Sequence, residues 1–181
     1  FNARKDASSR LYRYYVSLLP VASPFSSRYS WHVLGAVDLA VLREAAAVVV
    51  GRHDFRAFTP TETEHVFFDR LVARCAWKRA AGSAPGAGLS TGAPGVSRAR
   101  GVGDGTQAPG SSQAAGLFYL EIEAEAFLRH MVRALVGTMM EMAQGRRSPD
   151  DFKRLLRGAT RNEAGPTAPP HGLFLWDVPY R

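Results

Sequence analysis

The amino-terminal stretch alternates arginine with tyrosine, a combination that suits contact with nucleic acid. Arg10, Tyr12 and Tyr14 would share one face of a regular strand, with Arg13 on the opposite face and Arg4 a few residues upstream. Guanidinium groups pair with phosphates, and aromatic rings stack on unpaired bases. Because tyrosine in a strand is more often part of a core, the pattern leaves a stacking platform and a buried strand as alternatives.

A second basic group occurs in an otherwise apolar segment. Arg129 and Arg133 are four residues apart, a spacing that places two side chains together on a helix. His130, Arg133 and Gly137 would share one stripe of that helix, where Gly137 would let another backbone or a ligand approach Arg133. A solvated basic face is the alternative, and on spacing alone it would be favoured.

Patterns typical of metal, cofactor and disulfide sites are missing from the sequence. The 5 histidines are scattered without metal-ligand spacing, and the single cysteine, Cys75, excludes an internal disulfide or a cysteine-built zinc site. No phosphate-binding glycine loop or dinucleotide fingerprint is present. The sequence therefore predicts no metal and no cofactor, and its cysteine content favours a reducing compartment, either cytoplasmic or organellar.

The charge balance points to a polyanionic partner. Lys and Arg number 23 against 16 Asp and Glu, and all the cationic side chains except Lys5, Lys78 and Lys153 are arginine. A GC-rich genome would explain the preference for arginine over lysine, but it would not explain the net charge of +7. RNA or DNA is therefore the expected partner. No run of eighteen apolar residues occurs, so no membrane-spanning helix is predicted.

Strands and helices are expected to mix without a regular repeat. The longest helix, 126–144, should place Arg129 and Arg133 on its surface, and a helix over 39–50 should be capped by Asp38. A short helix should follow Ser148 over 149–157. Strands are expected at 10–19, 70–77, 118–124 and 173–179. This order predicts an α+β fold in which helices cover a sheet.

A segment of unusual composition interrupts this order at residues 80–116. It contains 10 of the 17 glycines, together with alanine, serine and proline, and has no aromatic residue. Such a segment buries too little apolar surface to offset the entropy of ordering it. We expect a flexible insertion that divides one domain, formed by residues 1–79 and 117–181. A weak accessory RNA-binding arm is the less favoured alternative.

Four blocks follow one another along the chain: residues 1–4 with 7–14, residues 51–55 with Phe58, residues 127–137, and residues 164–169 with Gly172, Leu173 and Tyr180. Together and in this order they resemble the carboxyl-terminal portion of the tRNA pseudouridine synthase A family. The resemblance implies a mixed, largely antiparallel sheet layered by helices, and an enzyme that isomerises uridine to pseudouridine in tRNA without a metal or cofactor. It also implies tRNA as partner and a homodimer.

The resemblance assigns roles to individual residues. Tyr12 corresponds to the tyrosine that packs on the target uracil, and Leu173 would line the same pocket. Arg133 corresponds to the arginine that pairs with the catalytic aspartate. Five residues would contact RNA: Arg4, Arg10, Arg13, Arg129 and His130.

The family's nucleophilic aspartate has no counterpart in the sequence. It belongs to a Gly-Arg-Thr-Asp-Ala-Gly-Val-His type of block that precedes the residues resembling 1–4, and no such block occurs here. Asp54 lies in a family block, but its expected role is structural. We therefore expect the chain to be the carboxyl-terminal part of a longer enzyme and inactive alone. The alternatives are a non-catalytic RNA-binding component of a ribonucleoprotein particle and, less favoured, a basic scaffold with no RNA role.

Overall fold

A single mixed sheet organises the chain. The computed structural model describes residues 7–63, 66–80 and 115–180. Within these residues a six-stranded sheet has the strand path β2-β1-β5-β4-β3, and β6 also pairs with β1. The strands are β1 (Arg10–Ser17), β2 (Trp31–His32), β3 (Gly51–Asp54), β4 (Asp69–Arg79), β5 (Leu117–Ala124) and β6 (Leu173–Asp177). Only the β1–β2 pair is parallel among these strands, so the expected α+β, largely antiparallel sheet is confirmed.

Three α-helices accompany the sheet in the described part of the chain: α1 (Leu39–Val49), α2 (Met131–Ala143) and α3 (Pro149–Leu155). Two of them begin at the caps expected from the sequence. The Asp38 carboxylate accepts hydrogen bonds from the first turn of α1, and the Ser148 hydroxyl accepts one from the amide of Asp151 in α3. No helix in the described ranges is long and apolar enough to cross a membrane.

The longest helix starts later than the sequence predicts. His130, the residue before α2, has φ 60°, which is left-handed backbone, so the helix cannot extend back to residue 126. Arg129 therefore lies in a turn before the helix, and only Arg133 of the expected pair is helical. The prediction of two arginines on adjacent turns of one helix is wrong.

The core lies between α2 and the sheet face formed by even-numbered residues of β1 and β5. Leu120 and Ile122 are fully buried on β5, as the strict alternation of that strand predicts. Tyr14 and Leu135 are also fully buried. Each such side chain contributes about 1.5–3 kcal/mol to stability by its removal from water. Because Tyr14 belongs to this core, it is not part of a stacking platform.

Strand β4 differs from the expected alternation at its centre. Its pairing with β5 shifts register between Val72 and Arg74, which marks a bulge. Val72, Cys75 and Trp77 are consequently buried, whereas Leu71 is 40% exposed. The expected face of Leu71, Ala73, Cys75 and Trp77 is therefore only half correct, because the extra residue moves the first half of the strand out of phase.

The low-complexity segment separates two strands that pair directly. Arg79 of β4 lies opposite Phe118 of β5, and the amide of Ala80 donates to the carbonyl of Leu117 at 2.9 Å. Residues 81–114 of the predicted insertion lie outside the described residues. The division into one interrupted domain and an insertion stays a prediction.

Candidate functional site

A cavity of about 350 Å³ opens where β1, β6 and the amino-terminal end of α2 meet. Its walls include Tyr12 from β1, Leu173 from β6, and Phe127, Arg129 and His130 from the segment before α2. The sheet brings the first two together because β6 pairs with β1 next to Tyr12. Four of the predicted site residues, Tyr12, Leu173, Arg129 and His130, thus line one cavity.

The apolar wall of this cavity holds its aromatic rings at a fixed angle. The rings of Tyr12 and Phe127 meet edge to face, with centroids 5.0 Å apart and an interplanar angle of 83°. This geometry is favourable for aromatic pairs and restrains the Tyr12 ring. With Leu173 nearby, the wall offers an aromatic face and an aliphatic side chain to a planar ligand. Phe127 is not among the site residues that the sequence predicts.

The polar wall is formed by the turn at Arg129 and His130. Both side chains are exposed, and the left-handed backbone of His130 sets the direction in which α2 begins. Burial lowers the pKa of His130, and the nearby charges of Arg133, Arg129 and Arg161 lower it further. Both effects favour the uncharged imidazole, while the guanidinium of Arg129 keeps this wall positive.

Arg133 is held by the backbone of a neighbouring loop. Its Nε donates to the carbonyl of Ala168 at 2.7 Å, and the Ala168 amide donates to the Arg133 carbonyl at 3.1 Å. A Cβ at Gly137 would lie 1.8 Å from the carbonyl oxygen of Pro166, so only glycine admits the loop this close. The expected close approach of backbone at Gly137 is confirmed.

The guanidinium of Arg133 has donors to spare. Arginine carries five N–H donors, and the contact with Ala168 uses the one on Nε. Among residues 7–63, 66–80 and 115–180 no carboxylate lies within ion-pair distance of Arg133. A partly buried guanidinium that is oriented by a carbonyl is arranged to bind an anion.

Arg10 and Arg13, two further basic residues of the predicted site, do not line this cavity. Arg10 donates to the carbonyls of Glu125 at 2.6 Å and Ala7 at 3.5 Å. Arg13 lies on the opposite sheet face from Tyr12, where it pairs with Glu121 at 2.8 Å. Arg4 is outside the described residues. RNA contact by these three arginines stays a prediction.

A structural role for Asp54 agrees with its contacts. Its carboxylate accepts a hydrogen bond from the Arg56 amide at 2.8 Å and lies 3.6 Å from the Arg56 guanidinium. Its backbone amide donates to the carbonyl of Leu156 at 3.2 Å. A Cβ at Gly158 would lie 2.8 Å from the Asp54 carboxylate, so this aspartate is enclosed between two loops.

Sequence reasoning missed Arg161, which fastens the loop that holds Arg133. Its guanidinium donates to the Gly165 carbonyl at 2.9 Å and to the Thr167 hydroxyl at 2.8 Å. The Thr138 hydroxyl of α2 accepts a hydrogen bond from the Gly165 amide at 3.0 Å. The only signal was its position just before the block at 164–173, since its partners are mostly backbone atoms that a sequence pattern does not reveal.

No group of three or more potential metal ligands occurs in the described parts of the chain. The lining of the cavity instead combines aromatic rings, aliphatic side chains, the His130 imidazole and the guanidinium of Arg129, and Arg133 is not part of that lining. Such a set suits a planar, uncharged base on an anionic backbone.

Comparison with known proteins identifies the family. A family model described as tRNA pseudouridine synthase matches residues 45–181. The chain is 34% identical over 99% of its length to the tRNA pseudouridine synthase A of Syntrophotalea carbinolica, and 33% identical over 99% to that of Thermus thermophilus. It is 35% identical over 100% of its length to that of Myxococcus xanthus. The chain belongs to the tRNA pseudouridine synthase family.

The chain spans 56–58% of the length of these three relatives. The family match does not favour the alternative of a non-catalytic ribonucleoprotein component.

Proposed function

We propose that this chain forms one wall of the active site of an enzyme that isomerises uridine to pseudouridine in tRNA. The observation that carries the proposal is Arg133, whose guanidinium is fixed by the Ala168 carbonyl and has no carboxylate partner among the described residues. A catalytic aspartate in the family's sequence context would supply that partner. Membership of the family and the names of the three relatives support the same function.

The reaction defines what the cavity must do. The bond from uracil N1 to the ribose breaks, the base turns, and a bond forms from C5 to the same ribose carbon. C5 gives up a proton and N1 gains one, so the product is an isomer of the substrate. The uridine must first leave its stack, which costs a few kcal/mol.

Each proposed residue meets one of these needs. Tyr12 packs on the uracil, which keeps the base within reach after the bond to the ribose breaks, and Leu173 closes the slot from the side of β6. Arg133 pairs with the aspartate and holds it in position. The exposed Arg129 and His130 lie at the rim, where RNA phosphates pass, and Arg4, Arg10 and Arg13 contribute further RNA contacts.

We also propose that two copies of the protein act together on one tRNA. The proposal follows from the resemblance to the family. The net charge of +7 also supports it, because the basic surfaces of two copies together would contact a longer stretch of the RNA backbone. Light scattering on the purified protein, with and without tRNA, tests it. A monomer under both conditions would contradict it.

The function is tested on the natural gene product that carries these residues. Purified protein is incubated with unmodified tRNA, and pseudouridine is located by mass spectrometry of nuclease fragments. We expect conversion at defined uridines, and we expect none from the 181-residue chain alone, because it lacks the family's aspartate block. Pseudouridine made by the chain alone would overturn the assignment of the aspartate, and tRNA left unmodified by the gene product would overturn the function.

A further inference from the structure

A second cavity shares no lining residue with the first. It has a volume of about 310 Å³, at the lower end of the range for small-ligand sites. The 3-10 turn Arg56–Phe58 forms one side and the 3-10 turn Arg161–Glu163 forms the other, with Phe68 between them. Nothing in the proposed isomerisation uses this space, which we call the Arg161 cavity.

Two arginines give the Arg161 cavity a positive charge. Arg161 is partly buried, and its hydrogen bonds go to the carbonyls of Ala164 and Gly165 and to the Thr167 hydroxyl. No carboxylate lies within ion-pair distance of Arg161 in the part of the chain that the structure describes. Arg56 is 54% exposed at the rim, and its ion pair with Asp54 is long at 3.6 Å. An anion would therefore find an incompletely neutralised pair of guanidinium groups here.

The other walls suit a nucleobase better than a bare anion. The guanidinium of Arg56 lies over the ring of Phe68, 4.8 Å from its centroid, which restrains that guanidinium as a planar surface. Asn162 is exposed at the opening, and its amide can both donate to and accept from a base edge. Thr59 is 1% exposed, and its hydroxyl has no hydrogen-bond partner in the described residues. A stacking plane, an amide and a hydroxyl are the groups that recognise unpaired bases.

The charge of Arg161 also acts on a residue of the first cavity. The charge of Arg161 contributes, with those of Arg133 and Arg129, to lowering the pKa of His130 at the rim of the first cavity. Arg161 also holds the Gly165 carbonyl in the loop that continues to Ala168 and so to Arg133. Arg161 therefore connects the second cavity, by charge and by hydrogen bonds, to the residues around the first.

We propose that the Arg161 cavity binds an unpaired nucleotide that neighbours the target uridine in the tRNA, with its phosphate on Arg161 and its base on the Arg56 guanidinium. The inference rests on the proposed function, because it takes tRNA as the substrate. It adds a second nucleotide subsite, which would help to hold the RNA while the target base is out of its stack.

The test compares Arg56→Ala and Asn162→Ala with a matched control in the natural gene product. The control is Arg52→Ala, which removes the same charge from an exposed residue of β3 that does not line the cavity. We expect the Kd for tRNA to rise about tenfold in Arg56→Ala and about fivefold in Asn162→Ala, but less than twofold in Arg52→Ala. Because the phosphate lies on Arg161 in this arrangement, Arg56→Ala and Asn162→Ala should both leave the slope of log Kd against log salt nearly unchanged.

A second measurement locates the RNA directly. Transfer RNA containing 4-thiouridine is irradiated on the protein, and the cross-linked peptides are identified by mass spectrometry. We expect a cross-link within residues 54–63 or 159–163, lost in Arg56→Ala and kept in Arg52→Ala. A cross-link elsewhere, with equal Kd values for Arg56→Ala and Arg52→Ala, would overturn the inference.

Two further outcomes are distinguished by the same set of proteins. If uridine monophosphate binds and Arg56→Ala abolishes that binding without changing the Kd for tRNA, the cavity belongs to a free nucleotide and the inference is wrong. If the wild-type protein makes pseudouridine while both variants bind tRNA normally, the proposed function stands and only the second subsite fails. A wild-type protein that neither binds nor modifies tRNA would instead overturn the proposed function.

Discussion

The two faces of the sheet use arginine in opposite ways. Arg13, on the face away from α2, meets the carboxylate of Glu121 at 2.8 Å and lies over the ring of Trp176 at 3.8 Å. Arg133, on the α2 side, contacts a carbonyl and has no carboxylate partner within the described residues. An arginine whose charge is matched inside the fold stabilises that fold. An arginine held by a carbonyl alone is prepared for an anion that comes from elsewhere.

Burial makes the contrast stronger. Glu121 is 2% exposed, and Arg13, Arg74 and Lys78 surround it within 3.4 Å. All three cations contact Glu121, and Arg74 also pairs with Glu123 at 3.2 Å, so each cation of this cluster has a carboxylate partner inside the fold. The end of α2 has three positive groups near His130 and no such acid among the described residues. The presence or absence of a carboxylate partner therefore distinguishes a structural cluster from a candidate active site more clearly than the number of arginines does.

Replacing Arg133 should have the largest effect on activity. In the natural gene product we expect Arg133→Ala to lower kcat/KM for pseudouridine formation by roughly 10²- to 10⁴-fold, because an aspartate loses its buried partner at a cost of about 3–5 kcal/mol. Single-turnover assays on tRNA measure the loss. Arg43→Ala, an exposed arginine of α1, is the matched control and should stay within twofold of wild type. Near-normal turnover by Arg133→Ala would contradict the proposal that Arg133, unlike Arg13, is left for the catalytic aspartate.

Replacing Glu121 should change stability. Glu121→Ala leaves Arg13 and Lys78 without their buried acid and leaves Arg74 with Glu123 alone, so we expect the free energy of unfolding to fall by about 3 kcal/mol. Urea denaturation followed by circular dichroism measures the change. An unchanged midpoint would show that the cluster contributes nothing to the fold.

Acid should weaken the same cluster. Burial raises the pKa of Glu121, but hydrogen bonds and charges from Lys78 and Arg13 outweigh it, so the net pKa lies below the ordinary value. The resulting stabilisation is complete above about pH 4.3, the usual glutamate pKa, and is lost as pH falls through the lowered value. Glu121→Gln should therefore flatten the dependence of unfolding free energy on pH in this acidic range. Equal pH profiles for the two proteins would contradict the shift.

Gly137→Ala should affect both stability and activity. Alanine in a helix is ordinarily favourable by about 1 kcal/mol relative to glycine, but here the new Cβ would lie 1.8 Å from the Pro166 carbonyl oxygen. We expect a net loss of about 2 kcal/mol and reduced turnover, since the loop that fixes Arg133 must move. Gly145→Ala is the control. Alanine at its φ of 73° should cost about 1 kcal/mol, but the new Cβ would have no neighbouring atom within 4 Å and so would not disturb the loop at Arg133. Unchanged stability in Gly137→Ala would refute the close approach.

Tyr14→Phe should have the smallest effect. The Tyr14 hydroxyl donates to the Pro169 carbonyl at 2.6 Å, and burial of the ring raises the pKa of the hydroxyl. Loss of one hydrogen bond should cost about 1 kcal/mol, measured as a shift in the urea midpoint, with kcat/KM within twofold of wild type. A large loss of activity would mean that the strand β1 positions the site through Tyr14 as well as Tyr12.

A feature can be predicted from the sequence when the residues that form it lie close together in the chain. The alternation of β5 and the caps of α1 and α3 involve residues a few positions apart, so the sequence predicts them. Spacing singled out Tyr12 and Arg133 as candidates, but their separate roles and the choice of Leu173 came from the resemblance, because the three residues lie on three separate elements. Arg161 could not be found in either way, since its partners are mainly carbonyl groups and every residue has one.

The errors have the same cause. The first turn expected for α2 is not helical, because His130 takes a left-handed conformation where the chain turns from β5 to α2. The bulge in β4 near Ala73 exposes Leu71 and buries Val72, which no alternation of residue types indicates. The short strands β2 and β3 are defined by their partners, so they carry little pattern of their own.

By itself the sequence determined the class of fold, the basic character of the protein and the family to which it belongs. Periodic burial fixes which face of a strand or helix is apolar, and those choices need only neighbouring residues. The tertiary structure decided which arginines are neutralised and which are left for a ligand. That outcome depends on whether a carboxylate or a carbonyl from a distant element arrives beside the guanidinium. Arg13 and Arg133 are the same residue type in the sequence, but in the fold Arg13 pairs with the Glu121 carboxylate and Arg133 donates to the Ala168 carbonyl.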